Sequence, residues 1–233
     1  MRDSVAVELD NPAWSALTTF QAHLARGGDH VKRYPVDVAQ IGAIGSWNEA
    51  AREEMDLLVP EGDWISFPST IEHADTLVPP ALRITKQGHL VQMIETTSRG
   101  VPALDVEAVL LSEADAPDMI DLADRTRPGP FCARTFTFGT FLGIRDRGRL
   151  VAMAGQRMHL PGFREISAVC TLPEFRGRGY ARHLVALLAG MIRGEGLTPF
   201  LHVEESNLRA QALYSSMGFV ERRRLPLLVV GRA

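Results

Sequence analysis

The chain is poor in cysteine, in lysine and in long apolar runs. Cys132 and Cys170 are the only two cysteines in 233 residues, too few for the disulfide framework of a small secreted scaffold and suited to a reducing compartment. No apolar run approaches the roughly 18 residues of a membrane span, and the opening MRDSVAVELD lacks the charged-then-apolar order of a signal peptide. The expectation is a soluble cytoplasmic protein that does not use a membrane. The seven histidines show no HxH or HExxH grouping, so no metal site is expected. With a formal net charge of -3 and a pI near 6.2, no global field draws the chain to nucleic acid, and any anion site must be local. Lysine is confined to Lys32 and Lys86, and arginine makes up the rest of the 25 basic residues.

What is present is enough apolar surface, 45% of residues, to build a real core. The pattern changes near residue 100, so residues 1–100 are read as a smaller α+β region and 101–233 as the main domain. In the first region, 14–25 and 46–59 have helical spacing, and 81–95 alternates on either side of Gln87 and Gly88 like a hairpin. In the second, 106–111 reads as a strand. SEAD, from Ser112 to Asp115, places a cap three residues before a carboxylate and opens a helix to about Asp124. A hairpin over 141–160 turns at Asp146 to Gly148, Pro161 and Gly162 turn the chain again, and 164–172 continues as a strand. A helix follows from Gly179 to about Gly194, then a strand over 198–204, a short helix ended by Gly218, and two short strands around Leu225 and Pro226. The class is α+β, with one strand-helix-strand crossover in its middle.

That crossover places FRGRGYARHL where a strand ends and a helix begins. A helix N-terminus offers free N–H groups and partial positive charge, and glycine lets an anion approach the backbone, so the turn reads as a diphosphate cradle. Arg176, Arg178 and Arg182 add charge. The nucleoside-triphosphate loop needs a Lys-Ser or Lys-Thr that is missing. The dinucleotide fingerprint needs a third glycine where Arg182 stands.

Read as Q/R-x-x-G-x-G/A, the run Arg176, Gly177, Arg178, Gly179, Tyr180, Ala181 fits at every constrained position. Together with EISAVCTLPEF before it and NLRAQALYSSMGF after it, the chain from about residue 106 resembles the GCN5-related N-acetyltransferases (GNAT), especially their FR47-like branch. The resemblance implies a mixed central sheet that splays between two parallel strands and is flanked by helices, with acetyl-coenzyme A as cosubstrate. It also implies transfer of an acetyl or other short acyl group to a primary amine by direct attack in a ternary complex.

By the same resemblance Val169 offers its N–H to the thioester oxygen. Val169, Cys170 and Thr171 line the pantetheine arm, residues 176–182 hold the diphosphate, Asn207 contacts the coenzyme, and Tyr214 protonates the departing thiolate. Asn207 is equally a helix cap by its position, Tyr214 equally a core aromatic, and Cys170 a buried structural thiol. Glu165 stands where several family members carry a general base, which calls for a raised pKa; the other reading is a solvated strand-end charge paired with Arg164 or Arg157. His159 and His202 are further base candidates near strand ends, or ordinary strand residues. The acceptor, a small amine or amino acid, would enter near Arg127 to Gly139, where Phe131, Phe136 and Phe138 line a pocket or fill the core. The first hundred residues are compatible with a degenerate copy of the same fold that shapes the acceptor side. A homodimer is compatible with this reading. The competing function is a coenzyme-binding sensor without turnover, and a nucleic-acid module using the Arg-Gly pairs is disfavoured by the acidic balance.

Overall fold

A computed structural model describes residues 7–68, 78–100 and 104–232. The first six residues, part of the stretch inspected for a leader, lie outside them. Among the described residues no helix is long and apolar enough to cross a membrane.

Two sheets form. A small one joins β1 (Arg26–Gly27), β2 (Val31–Arg33) and β3 (Gly42–Ile44), with α1 (Pro12–Thr18) and α2 (Glu49–Leu58) beside it. The helix expected over 14–25 stops early at Thr18 and is followed by a separate 3-10 turn at Ala22–Leu24. Asn11 and Asn48 cap the two helices, accepting from the amides of Trp14 and Ala51.

The large sheet has eight strands in the order β4-β11-β5-β10-β9-β8-β7-β6: β4 (Trp64–Pro68), β5 (Leu82–Glu95), β6 (Val109–Leu111), β7 (Phe141–Asp146), β8 (Arg149–Leu160), β9 (Phe163–Thr171), β10 (Thr198–Glu204) and β11 (Phe219–Arg232). The mixed α+β class is as expected. Local turn chemistry sets the β7-β8-β9 meander. Arg147 and Gly148 both take positive φ, the two-residue turn that matches strand twist, and Gly162 after Pro161 closes the next turn at φ +78. The Ser112–Asp115 capping box is present, and its 3-10 turn leads into α3 (Ala116–Thr126). α4 (Tyr180–Gly194) buries Leu184, Val185, Leu188 and Ile192, and packs on β8 and β9; α5 (Leu208–Ser216) packs on β11.

Two expectations fail for one reason. Residues 82–95 form no hairpin at Gln87–Gly88, and the chain does not end in two short strands. β5 and β11 are single 14-residue strands paired antiparallel from Phe219↔Glu95 to Arg232↔Leu82. Each supplies the hydrogen bonds that a hairpin partner would have supplied to the other. Pro226 is tolerated because β4 pairs with β11 only from Leu227 onward, so no ladder bond is lost there.

β5 lies between β10 and β11 in the middle of the sheet, so the division expected at residue 100 does not run through the fold. Side chains cross it too. Leu9, Leu17 and Tyr34 pack with Phe138, Met158, Phe163 and Phe200, while Ile65, Phe67 and Leu82 pack with Leu228 and Val230.

Candidate active site

β9 and β10 are parallel neighbours over only three rows, Thr198↔Phe163 to Phe200↔Glu165. Beyond that row β10 keeps its antiparallel partner β5, and β9 keeps β8, but the two no longer pair. A slot opens between them. Leu172 donates to Val151 of β8, so strand alternation turns the N–H groups of Val169 and Thr171 toward the slot. A bulge at the same level aims that backbone: Cys170 pairs with Met153 but Ser167 with Gly155, and Ala168 takes φ +53, a conformation costly for a residue with a Cβ.

Two cavities open on this slot. The smaller, about 480 Å³, is lined by Val169, Cys170, Thr171, Arg176, Gly177, Gly179, Tyr180, Ala181, Arg182, Asn207 and Tyr214, together with Thr126, Phe175 and Leu213. Gly177 and Gly179 sit at φ +82 and +84, and a Cβ on Gly177 would meet nothing within 4 Å. Gly177 is therefore there for backbone conformation and open approach, whereas a Cβ on Gly179 would also crowd Leu104 at 3.2 Å. Among the described residues the amides of Gly177 to Arg182 have no acceptor; the first α4 bond that crosses the cap runs from His183 to Gly179. A row of unpaired N–H groups beside an open cleft fits a coenzyme diphosphate.

The arginines divide. Arg182 lines the cleft and donates to Ser216, and Arg176 lines it while donating to the Thr171 carbonyl. The Arg178 side chain stacks on Phe175 and lines neither cavity, so its guanidinium does not add charge to the cleft as expected. Asn207 caps α5 by accepting from Ala210, as the cap reading held, and it also lines both cavities. Tyr214 is buried beside Phe219 and faces both cavities. Burial, with Cys170 as a second cause, pushes its hydroxyl up to about 12, so it holds its proton near neutrality. Burial likewise pushes the Cys170 thiol up to about 11, which makes it inert as a nucleophile.

The larger cavity, about 1260 Å³, takes its walls from β4, β5 and β11 on one side and from residues 127–131 and the ends of β8, β9 and β10 on the other. Residues before 100, including Ile41, Trp64 and Arg83, line this cavity and not the smaller one. Of the three phenylalanines, only Phe131 lines it; Phe138 is buried against Tyr34, and Phe136 packs on the main core. Val169, Asn207, Ala210 and Tyr214 belong to both cavities, as do Arg127 and Pro128.

Glu165 corrects its expectation. It is fully buried and so is no solvated strand end, although Arg157 is its partner as the second reading held. Arg157 donates to it twice, at 2.8 and 2.6 Å, and His202 Nδ1 lies 2.8 Å from Oε1. Burial alone would raise the carboxyl, but the Arg157 guanidinium and the hydrogen bonds outweigh it and hold the pKa down to about 2. A base with a raised pKa is not what this carboxylate is. Its contacts continue through His202 to Gln92, which accepts from Arg222 and donates to the Leu9 carbonyl. His159 stacks on Phe20, and burial, then Arg164, lowers its pKa.

Arg127 and Pro128, at the start of the loop expected at the acceptor entrance, lie where the two cavities meet, and Arg127 ends α3 at positive φ. Residues before 100 were expected beside the cleft, but that they join it as β4 and β5 paired with β11 was missed, because no local signal marks that pairing.

An acetyltransferase of the GNAT family from Novosphingobium aromaticivorans is 35% identical and superposes with a TM-score of 0.84, covering 97% of this chain and 98% of that one. The chain belongs to the GNAT family. The model for FR47-like proteins matches residues 141–225. A GNAT protein from Kribbella flavida shares the fold at 17% identity, with a TM-score of 0.62 over 94% of this chain and 95% of its own. The mycothiol acetyltransferase of Thermomonospora curvata is 37% identical over 82 residues, 35% of this chain and 27% of that protein, so the match spans about a quarter of that curated relative. GNAT membership makes acyl transfer the general chemistry.

Proposed function

We propose that the chain is an N-acetyltransferase that moves an acetyl group from acetyl-coenzyme A to a primary amine of a small molecule or amino acid. The observation that carries this reading is the meeting of two cavities at Val169, Asn207 and Tyr214, where β9 and β10 separate. Donor and acceptor then approach one point from opposite sides, as a ternary complex requires.

The free amides of Gly177 to Arg182 hold the diphosphate, with Arg176 and Arg182 beside it. The slot-facing N–H groups of Val169 and Thr171 pair with the pantetheine arm, and Val169 N–H meets the charge that develops on the thioester oxygen. The thioester supplies the acyl group. Tyr214, still protonated near neutrality, donates to the departing sulfur. Asn207 keeps its amide nitrogen for the coenzyme while its oxygen caps α5. Glu165 acts as a positioning residue that fixes Arg157 and His202 in the wall of the acceptor cavity.

Acetyl-coenzyme A should raise the melting temperature, and a thiol-release screen over amino acids, polyamines, aminoglycosides and peptides should find an acceptor. Thermal stabilisation without thiol release from any amine would replace this reading with a coenzyme-binding sensor.

A further inference from the structure

The acceptor cavity is long and electrically polarised. β5 and β11 run on past the end of β10, whose last paired row is Glu204↔Leu90, to Gly231↔Arg83. Arg83 is seven residues beyond Leu90, about 23 Å along the strand at the rise of a β-strand. Glu204 lies four residues past the last row that joins β10 to β9, and Val169 lies four past it on the other strand, so the two are level. Leu90, Lys86 and Arg83 all line the same cavity as Val169, so one continuous space links the slot to Arg83.

Most charges in this wall are already matched. Lys86 is held by Glu204 at 2.5 Å, Arg157 by Glu165, Arg232 by Asp56, and Asp63 by Arg33. Among the described residues the Arg83 side chain has no hydrogen-bond or ion-pair partner, although its backbone pairs with Gly231. Near the slot, Asp124 in the last turn of α3 and Arg127 just after it also have no ion-pair partner among the described residues; these two opposite charges offset each other where the two cavities meet. The slot end is thus balanced, with an acid free to meet an ammonium, while the far end carries the surplus positive charge, and this favours a ligand with its anion at the far end.

We infer that the acceptor is an elongated amine with an anionic group, a carboxylate or phosphate, remote from the nitrogen: the ammonium end enters beside Asp124 and the anion is read by Arg83. This rests on the acyl-transfer reading and narrows its substrate class. It excludes polyamines and other polycations as preferred acceptors, because a second ammonium would face Arg83, with Lys86 and Arg232 nearby.

The test uses the full chain with acetyl-coenzyme A and matched linear amines that reach about 20 Å, ending in a carboxylate, a phosphate, a hydroxyl or a second ammonium. The anionic amines should exceed the diamine in kcat/KM by about tenfold or more. Arg83→Glu, an exposed position, should remove or invert that preference, whereas Arg26→Glu, outside both cavities, should keep it. Turnover without an anion preference, or a preference that survives Arg83→Glu, overturns the inference and leaves acyl transfer standing. Thiol release from none of the amines overturns both.

Discussion

Replacing Glu165 with glutamine keeps the shape of the side chain and removes its charge, which separates its ionic role from its packing. The carboxyl is held at about 2 against an ordinary value of 4.5. That gap corresponds to about 3 kcal/mol of folding stability. Because the folded-state pKa is depressed, the contribution is complete above the unfolded value near 4.5 and is lost as pH falls from there toward 2. At pH 7 the substitution also leaves Arg157 buried without its counterion, which puts the expected loss at about 3–5 kcal/mol, a large share of the total for one domain.

Urea denaturation followed by circular dichroism at pH 7, 5, 4 and 3 measures the difference between the two proteins. It should be large and constant at pH 7 and 5 and should narrow below 4.5, as the native protein loses what the variant never had. A difference under about 1 kcal/mol at pH 7, or one that stays constant to pH 3, would refute the ionic account. Catalysis gives an independent reading. If Glu165 were the general base, an acidic limb of kcat/KM would vanish in Glu165→Gln; the structure instead predicts that any such limb keeps its midpoint in the variant, since this group is ionised throughout the neutral range.

Tyr214→Phe should lower kcat by about 100-fold with little change in KM for acetyl-coenzyme A. With its hydroxyl held up to about 12, Tyr214 should contribute no alkaline limb below about pH 10; steady-state thiol release checks both, and an unchanged kcat removes Tyr214 as the proton donor. Gly177→Ala places a Cβ at φ +82 in open space, so melting should show a loss of only about 1 kcal/mol, while calorimetry should show acetyl-coenzyme A binding weakened by about tenfold. Unchanged affinity would mean the diphosphate does not rest on that backbone. A fragment of residues 101–233 lacks β4 and the central strand β5, so it should show no cooperative thermal transition, and a soluble, cooperatively melting fragment would contradict the sheet order.

The glycine turn and the smaller cavity are legible in the sequence because their parts are local. Gly177 and Gly179 declare positive φ, Ser112 and Asp115 make a capping box within four residues, and Arg147–Gly148 and Pro161–Gly162 are turns whose chemistry names them. The strand wall of the larger cavity is not legible, because its parts meet only through long-range pairing. β5 looks like a hairpin since Gln87 and Gly88 interrupt an alternating run, yet β11, some 130 residues later, supplies the partner that makes it continuous. The sign of the Glu165 shift was hidden by the same kind of event. A register change between Gln156↔Ile166 and His159↔Arg164 sets Arg157 and Met158 together opposite Glu165, so a carboxylate that burial would neutralise is ionised by a guanidinium delivered through a bulge. A diphosphate grip needs only one turn and can stay fixed while β4, β5 and β11 change. On the proposed acyl-transfer reading, exchanging the cavity-facing side chains of those strands should therefore alter the amine accepted, measured by thiol release, without altering the donor.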